Sequence, residues 1–363
     1  MTMKYIGRLL GFILLGVNAV VALLMFLAAY SPSIDPHAHP VWSSIGLFFP
    51  IFLLLNILFL IFWSVVYRRF ILFPLLAFGV CWGSVRTYFP INCFGGDAPE
   101  GAIKIVSYNT RAFGEMKPHT KEKPNEILTY LQNSDADIIC LQEYIFGGKL
   151  KKKDVDYALR NYRYKHYLPL KKGLNGLGCY SRYPILSATP ILYKGTRNGS
   201  VAYRIKVGGD TLLVINNHLE SNKILKSDVE TYQEMIDAPS KENLFAGVRK
   251  IWGKVAEATK IRAKQADVLL ETIRDSKEKS VVLCGDFNDT PISYTHHVLL
   301  NEGMQDAFVE TGNGLGVSYN KDRLYVRIDH ILASKNLKVY DCTVDNTIHA
   351  SDHYPIWCYI SLK

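Results

Sequence analysis

The pattern of apolar residues changes near residue 88. Before that point, three long and almost uninterrupted apolar stretches cover residues 6–29, 45–66 and 70–85. A helix needs about 20 apolar residues to cross a bilayer. The first two stretches therefore predict transmembrane helices, and the third, which is shorter and contains Pro74, predicts another. Residues 1–88 are thus expected to form a membrane anchor of about three spans, with two spans and a re-entrant third segment as the alternative.

The orientation of this anchor follows from the basic residues in its short loops. Lys4 and Arg8 lie at the start of the first span, and Arg68 and Arg69 separate the second from the third. Residues 31–44, between the first two spans, contain no Lys or Arg. With three spans in the inner (cytoplasmic) membrane, the N-terminus is cytoplasmic and the chain after residue 88 lies on the extracytoplasmic side. Two spans would reverse this prediction.

Apart from Arg8 at the start of the first, the three spans contain no Asp, Glu, Lys, Arg or His, and their notable polar side chains are Asn18 and Asn56. Transport and proton-relay helices usually carry buried ionisable groups. The composition therefore favours a plain anchor whose partner is the lipid bilayer.

After a predicted linker at residues 89–101, the apolar runs of residues 102–363 shorten to four to six residues, which is typical of buried strands. Strands are predicted at residues 103–109, 138–142, 164–168, 281–284, 325–333 and 356–360, and helices at 125–133 and within 219–280. Alternating apolar residues on both sides of Gly208, Gly209 and Asp210 predict a hairpin. This hairpin excludes a purely parallel sheet.

The net charge of the chain narrows the range of possible binding partners only slightly. Five of the 42 basic and three of the 33 acidic residues precede residue 101, so 37 basic and 30 acidic residues give the remainder a net charge of +7. This charge suits a polyanion such as nucleic acid or anionic lipid. The basic runs 149–153 and 171–172 either bind such a partner or form a solvated face. The seven cysteines show no metal-binding spacing and are expected to be buried apolar residues.

Polar residues follow several of the predicted strands. Asn109, Glu143 and His218 each come at or just after an apolar run, and Asp286 with Asn288 follows another. Carboxylate and amide oxygens are ligands that Mg²⁺ prefers. If these strand ends meet at one rim, they suit a hard cation and a phosphate ester.

A possible Asp–His pair adds acid–base chemistry to this rim. Asp329 lies inside an apolar strand, where a buried carboxylate needs a partner. His353, next to Asp352 near the end of the chain, is a natural one. A carboxylate that holds an imidazole fixes its tautomer for acid–base work.

Taken in order, six motifs resemble those of the endonuclease/exonuclease/phosphatase superfamily, which includes deoxyribonuclease I and the neutral sphingomyelinases. They are Ser107-Tyr108-Asn109, Leu141-Gln142-Glu143, Asn217-His218-Leu219-Glu220-Ser221, Gly285-Asp286-Phe287-Asn288, Arg327-Ile328-Asp329-His330-Ile331 and Ser351-Asp352-His353-Tyr354-Pro355. The order and approximate spacing of these motifs match those of the superfamily across residues 101–363. The resemblance implies a four-layer α-β-β-α sandwich of two mixed β-sheets, an α/β fold of the deoxyribonuclease I type.

The resemblance also implies roles for individual residues. Glu143 would be the main ligand of Mg²⁺, with Mn²⁺ as a substitute, supported by Asn109 and Asp352. Asp286 would orient or deprotonate the attacking water, and Asn288 would hold a phosphate oxygen. His353, oriented by Asp329, would contact the scissile phosphate as a base or an electrostatic stabiliser, and His218 would assist the leaving group. Arg111 and Asn175 are expected to bind the substrate phosphate.

The expected activity is hydrolysis of phosphodiester bonds by metal-assisted attack of water, with nucleic acid as the first substrate. Phospholipids, as in sphingomyelinases, and phosphomonoesters are the alternatives, followed by a non-catalytic phosphate-binding module. Residues 222–260 carry the apolar residues Leu244, Phe245, Val248, Ile251 and Trp252, which predict an amphipathic lid or a helix packed on the sandwich. No protein partner is evident.

Overall fold

The computed structural model describes residues 2–93, 96–170, 175–223, 241–321 and 324–362. The basic pair Lys171-Lys172 lies outside the described residues, as do the side chains of Leu244 and Phe245. The helices of the anchor region are Thr2–Tyr30, Pro40–Ser43, Phe49–Val65, Leu72–Val80 and Trp82–Tyr88. Those after it are Glu126–Asn133, Lys152–Ala158, Lys241–Arg274, Tyr294–Asn301 and Ala307–Thr311.

Two helical segments are long and apolar enough to cross a membrane, Tyr5–Ser33 and Pro40–Val65. The third predicted span differs from a straight helix. It consists of the pair Arg68–Val80 and Trp82–Tyr88, bent by 72° at the break, so it is either a broken span or a re-entrant loop. The number of spans is therefore two, or three if the bent pair crosses.

The two polar residues of the predicted anchor face each other inside it. Asn18 donates a hydrogen bond from Nδ2 to Oδ1 of Asn56 at 3.2 Å, and the indole of Trp63 donates to Oδ1 of Asn18 at 3.0 Å. Because an apolar environment offers no other partners, such bonds hold neighbouring helices in register.

The rest of the chain forms two six-stranded mixed sheets. The first has the order β13-β14-β1-β2-β4-β3 and the second the order β5-β6-β7-β8-β12-β9, while β10 and β11 make a separate hairpin. The strands are β1 Ile103–Asn109, β2 Ile138–Gln142, β3 Tyr164–Leu170, β4 Asn175–Ser181, β5 Ile185–Leu192, β6 Gly199–Val207, β7 Asp210–His218, β8 Ser280–Asp286, β9 Met304–Asp306, β10 Tyr319–Lys321, β11 Leu324–Val326, β12 Asp329–Ser334, β13 Lys338–Val344 and β14 Ile356–Ser361.

The sheets pack face to face through apolar residues of both. Ile105 and Cys358 of the first sheet lie in one buried cluster with Tyr203, Val214 and Cys284 of the second. The outer face of the first sheet is covered by the helices Glu126–Asn133 and Lys152–Ala158, and that of the second by Lys241–Arg274 and Tyr294–Asn301. The four-layer α-β-β-α sandwich is confirmed.

The strand predictions hold in part. The predicted hairpin is β6–β7, and β1, β2, β8 and β14 occur where they were expected. The single strand predicted at 325–333 is wrong, because the chain turns at Arg327 and Ile328 and splits into β11 and β12. Strands β4, β5, β9, β10 and β13 were not predicted. Within residues 219–280, the described helix is Lys241–Arg274.

The anchor packs against the sandwich at two places. The segment that joins the first two long helices meets the helix Lys241–Arg274, where Ser44 donates to Thr259 at 3.1 Å and the rings of Phe48 and Trp252 stack with centroids 4.7 Å apart. At the end of the bent pair, Arg86 bonds Glu310 at 3.1 Å.

Candidate active site

The ends of β1, β2, β7 and β8 and the start of the antiparallel strand β12 bring the predicted site residues to one rim of the sandwich. In the first sheet, Asn109 of β1 pairs with Gln142 of the parallel strand β2, and Glu143 follows. In the second sheet, His218 of β7 lies opposite Asp286 of the parallel strand β8, which in turn lies opposite Asp329 of β12. Because parallel strands end at the same edge of a sheet, their terminal side chains meet.

The two sheets are tied together directly below this rim. The amide of Gln142 donates to Oδ1 of Asn216 at 2.7 Å, and the amide of Asn216 donates to the carbonyls of Leu141 and Gly178. The side chains of Gln142 and Asn216 are buried, where hydrogen bonds between amides hold the two sheets in one arrangement, although Oε1 of Gln142 has no hydrogen-bond partner among the described residues. These bonds help to fix the distance between the candidate site residues of the two sheets. Sequence reasoning did not single out Gln142 or Asn216 for this role.

Asp286 lies at the centre of the site. Its Oδ2 accepts a hydrogen bond from Nδ2 of Asn109 at 3.0 Å and lies 3.7 Å from Nε2 of both His218 and His353. Its Oδ1 accepts from the backbone amide of Asn288 at 2.8 Å. The side chain is almost completely buried. One carboxylate oxygen is thus surrounded by three nitrogen groups from three separate parts of the chain.

Gly285 allows this arrangement. It has a φ of +138°, and a Cβ atom at this position would lie 2.0 Å from the carbonyl oxygen of Asn217 on the neighbouring strand. Only glycine allows so close an approach of two backbones. The glycine before Asp286 therefore sets the position of the central carboxylate.

His353 and Asp329 form the predicted pair. Nδ1 of His353 lies 2.8 Å from Oδ2 of Asp329, and both side chains are buried. Burial alone would lower the pKa of His353, but the carboxylates of Asp329 and Asp286 outweigh it and raise that pKa to about 10. Burial raises the pKa of Asp329. The imidazole therefore holds its proton at neutral pH and points Nε2 toward Asp286 and the cleft.

Asn175 fixes the tautomer of His218. Its Oδ1 accepts from the amide of Gly176 at 2.7 Å, so its Nδ2 is the group that faces Nδ1 of His218 at 3.1 Å. Nδ1 of the neutral imidazole is then the acceptor, and Nε2 carries the proton. His218 therefore presents a hydrogen-bond donor to the cleft. Asn175, predicted from the resemblance to bind phosphate, lies behind this histidine.

Glu143 and Asn109 carry oxygen atoms of the kind that bind a cation, and Oδ1 of Asn109 also accepts a hydrogen bond from the backbone amide of Arg111 at 3.1 Å. The amide of Asn109 lies between the two acids, 3.3 Å from Oε1 of Glu143 and 3.0 Å from Oδ2 of Asp286. Within the described residues, no Lys, Arg or His forms an ion pair with Glu143. Glu143 therefore has no cationic partner among the described residues, which fits a ligand of a divalent cation, whereas Asp286 faces the protonated ring of His353 at 3.7 Å. Glu143 has a φ of +46° and Asn288 of +52°, left-handed values that are strained for such residues and recur at functional sites.

Asp352 and Arg111 lie together at the mouth of the cleft. Nε of Arg111 and Nζ of Lys321 are each 3.6 Å from Oδ2 of Asp352, and Ser351 donates to the carbonyl of Asn109 at 2.9 Å. Arg111 begins an unpredicted left-handed turn, Arg111–Met116. Within this turn, Nη2 of Arg111 also donates to Oε1 of Glu115 at 2.6 Å.

The segment before β12 supports the Asp–His pair. Oγ of Ser318 accepts from the backbone amides of Ile328 and Asp329, each at 3.0 Å. The ring of Tyr319 meets that of His353 edge to face, with centroids 5.0 Å apart. Nothing in the local sequence points to either residue, because both reach the site through the hairpin β10–β11.

Residues 106–353, two thirds of the chain, match the Endonuclease/Exonuclease/phosphatase family. The chain belongs to this family. Residues 11–88 match a second family, which is described as a domain of unknown function.

A curated relative, the exodeoxyribonuclease of Bacillus subtilis (strain 168), is 23% identical over 293 residues, which cover 72% of this chain and all of the relative. The human Nocturnin catalytic domain is similar in structure, with a TM-score of 0.51, 16% identity, and coverage of 74% of this chain and 97% of that one. A family protein from Bacteroides thetaiotaomicron gives a TM-score of 0.50 at 16% identity, covering 73% of this chain and all of that one. These structures share the fold.

The geometry and the family together make this protein a phosphoesterase, a hydrolase of phosphoric esters. Asp286 and Glu143 supply negative charge, Asn109 supplies an amide, and His218 and His353 supply proton donors around one cleft. Phosphoester hydrolysis needs these groups together, to activate water, stabilise the phosphoryl oxygens and protonate the leaving oxygen.

Proposed function

We propose that this protein is a membrane-anchored, divalent-metal-dependent phosphodiesterase. The observation that carries this proposal is the position of Asp286, whose Oδ2 is contacted by Asn109, His218 and His353 within 3.7 Å, with Glu143 on the far side of the Asn109 amide. Glu143 and Asn109 would hold Mg²⁺, or Mn²⁺ as a substitute, with Asp352 nearby. The bound cation would neutralise charge on the phosphoryl oxygens.

Each side chain then has one task. Asp286 orients the attacking water and accepts its proton. His353, protonated and held by Asp329, donates from Nε2 to a non-bridging phosphate oxygen and stabilises the charge that develops there. His218 donates from Nε2 to the leaving oxygen. Asn288 uses one amide hydrogen on the carbonyl of Leu219, at 2.9 Å, and offers the other to the phosphate.

The anchor contacts support an extracytoplasmic location for the catalytic domain. Both the segment after the first helix and the end of the bent pair touch the sandwich, through Ser44 and Arg86. A domain lies on one side of a bilayer, so the bent pair must return the chain to the side of the first loop. That side is opposite Arg68 and Arg69, which favour the cytoplasm.

Nucleic acid and lipid remain the two substrate candidates. The exodeoxyribonuclease relative, matched over its whole length, and the net positive charge of the domain favour nucleic acid. A cavity shared by the anchor and the catalytic cleft favours an amphiphilic ester.

The decisive test uses the full-length protein in lipid nanodiscs with bis-p-nitrophenyl phosphate as substrate. We expect release of p-nitrophenol with Mg²⁺ and none after chelation, with activity restored by added Mg²⁺ or Mn²⁺. Turnover that survives excess chelator would refute the metal dependence. Protease accessibility in intact cells tests the location, because an extracytoplasmic domain is digested without lysis.

A further inference from the structure

A cavity of about 240 Å³ lies between the membrane anchor and the catalytic domain. Its walls come from both parts. Ser43, Ser44 and Leu47 belong to the start of the second candidate span, and Val255 and Thr259 belong to the helix Lys241–Arg274. This space is therefore formed only when the anchor is seated on the domain.

One end of the cavity is the catalytic cleft. Asn288 and Tyr319 both line it, and Tyr319 packs against His353. Next to Asn288, the guanidinium of Arg262 is held by Asp289 at 2.9 Å and by the carbonyl of Glu220, also at 2.9 Å. This buried arginine is fully bonded and closes the floor. A group bound in the cavity would reach the proposed phosphate position at Asn288 directly.

Part of the remaining lining is apolar, although polar residues such as Lys223 and Thr290 also belong to it. Leu324 and Val326 lie on one face of β11, because alternate side chains of a strand point the same way, and both line the cavity with Leu47 and Ile292. Tyr325, on the opposite face of β11, is 64% exposed. Trp42, at the start of the second candidate span, is 58% exposed. Exposed aromatic rings of this kind settle at the membrane–water interface.

We propose that this cavity holds the apolar chain of an amphiphilic phosphate ester that enters from the bilayer. The inference rests on the proposed function and names the substrate class of the same site. An ester bound in this way keeps its phosphate at Asn288 and its chain against Leu47 and Leu324, so the chain never crosses water. Complete small-molecule sites usually exceed about 300 Å³, so this cavity suits the first part of a chain whose remainder stays in the bilayer.

A series of p-nitrophenyl alkyl phosphates tests the proposal, because only the chain length differs between its members. The full-length protein in phosphatidylcholine nanodiscs with Mg²⁺ would be assayed on the methyl, octyl and hexadecyl esters. We expect kcat/KM to rise about tenfold or more from methyl to hexadecyl, since burying a leucine-sized apolar surface is worth that factor.

Substitutions separate binding in the cavity from simple partition of the ester into the bilayer. Leu324→Asp places a charge on the half-exposed hairpin, and Val255→Trp fills the space from the other side. Both should cut the hexadecyl-to-methyl ratio about fivefold or more. The matched control is Leu186→Asp. Leu186 is also exposed, but it lies at the start of β5, at the edge of the sheet away from His218, so this variant should keep the wild-type ratio. Thermal unfolding of each variant checks that it is folded.

The outcomes separate the two proposals. Equal hydrolysis of all three esters, or a wild-type ratio in both cavity variants, would overturn the lipid site and leave the phosphodiesterase standing. Faster cleavage of single-stranded DNA than of any of the three alkyl esters would also overturn the lipid site, in favour of a nucleic acid substrate. Failure to hydrolyse any ester, DNA included, would refute the proposed function itself.

Discussion

Two buried clusters of His and Asp occur in the described part of the chain, and they differ in what they can bind. Asp286, Asp329 and His353 form the front cluster, in the cleft. His296, Asp306 and His330 form the rear cluster, beneath the helix Tyr294–Asn301, and in each set the ligand atoms lie within 4.8 Å of one another. Residue types and burial are nearly the same.

The rear cluster is electrically balanced. Oδ1 of Asp306 accepts from the backbone amides of Phe308 and Val309, and Oδ2 lies 2.9 Å from Nε2 of His296. Burial works against the carboxylate of Asp306, but buried Arg327 and the two histidines outweigh it and hold its pKa well below its usual range. Burial lowers the pKa of His296. With Arg327 beside it, this cluster has no excess negative charge to offer a cation.

The front cluster has the opposite balance. Two carboxylates face one imidazole, and Glu143 lies beyond Asn109, so negative charge exceeds positive charge. The raised pKa of His353, about 10, reports this excess. Cation binding is therefore decided by uncompensated charge more than by the presence of His and Asp. The rear cluster is expected to stabilise the fold, and the front one to act on the phosphate next to the metal that we propose at Glu143.

The largest expected effect separates the clusters by activity. His353→Gln should lower kcat/KM on bis-p-nitrophenyl phosphate by roughly a thousandfold, because it removes the positive charge at the scissile phosphate. His296→Gln is the matched substitution in the rear cluster, and its kcat/KM should stay within about threefold of the wild-type value. Steady-state kinetics on folded, full-length protein make the measurement. Equal losses in the two variants would contradict the assignment of separate roles.

The second largest effect should be a difference in metal affinity between variants at the active site and variants in the rear cluster. Glu143→Gln removes the charge of the main proposed ligand, and we expect the Mg²⁺ concentration for half-maximal activity to rise about tenfold or more. Asp306→Asn should leave that concentration unchanged. Isothermal titration with Mn²⁺ gives the same comparison without turnover. A rear variant that weakened metal binding would show that the clusters are not independent.

The free energy of unfolding should depend more on the rear cluster than on the front one. Asp306→Asn leaves buried Arg327 without its carboxylate and should cost about 3 kcal/mol. Asp286→Asn, measured in chelator, relieves repulsion between Asp286 and Asp329 and should be near neutral or stabilising. Thermal unfolding in detergent compares the two. If Asp286→Asn destabilises the protein as much as Asp306→Asn does, the two clusters do not differ in their contribution to stability.

Much of the front cluster could be predicted from the sequence, because its residues lie at strand ends and strand periodicity is a local property. Asn109, Asp286 and the pairing of Asp329 with His353 follow from this reasoning. The position of Asn175 behind His218 could not, since it depends on how the two sheets face each other. The same holds for Tyr319 and for the left-handed turn that begins at Arg111, which long-range contacts impose on the chain.

The rear cluster escaped prediction for a related reason. His296 lies in a helix, Asp306 in the three-residue strand β9, and His330 was noticed only as the neighbour of Asp329. Arg327, which balances the cluster, donates to the carbonyl of Thr87 at the end of the anchor, 240 residues away along the chain. Its charge balance is a property of the assembled fold, and the sequence pattern carries no sign of it.

The smallest expected effect is a pH dependence of stability that arises in the rear cluster. The pKa of His296 is lowered in the folded protein, and an unfolded histidine titrates near 6.5. Folded His296 therefore binds fewer protons than the unfolded chain below that pH, and its contribution, complete above about pH 6.5, is lost as the pH falls. Between about pH 7.5 and 5.5 the wild type should lose up to about 1 kcal/mol more than His296→Gln, which keeps a donor toward Asp306 but has no proton to gain. Thermal unfolding of both proteins in chelator measures this difference. A gap between them that stays constant with pH would mean that His296 takes up protons equally in the folded and the unfolded states. A wild type that instead gains stability relative to His296→Gln as the pH falls would mean that His296 is charged in the folded state, and the rear cluster would then resemble the front one.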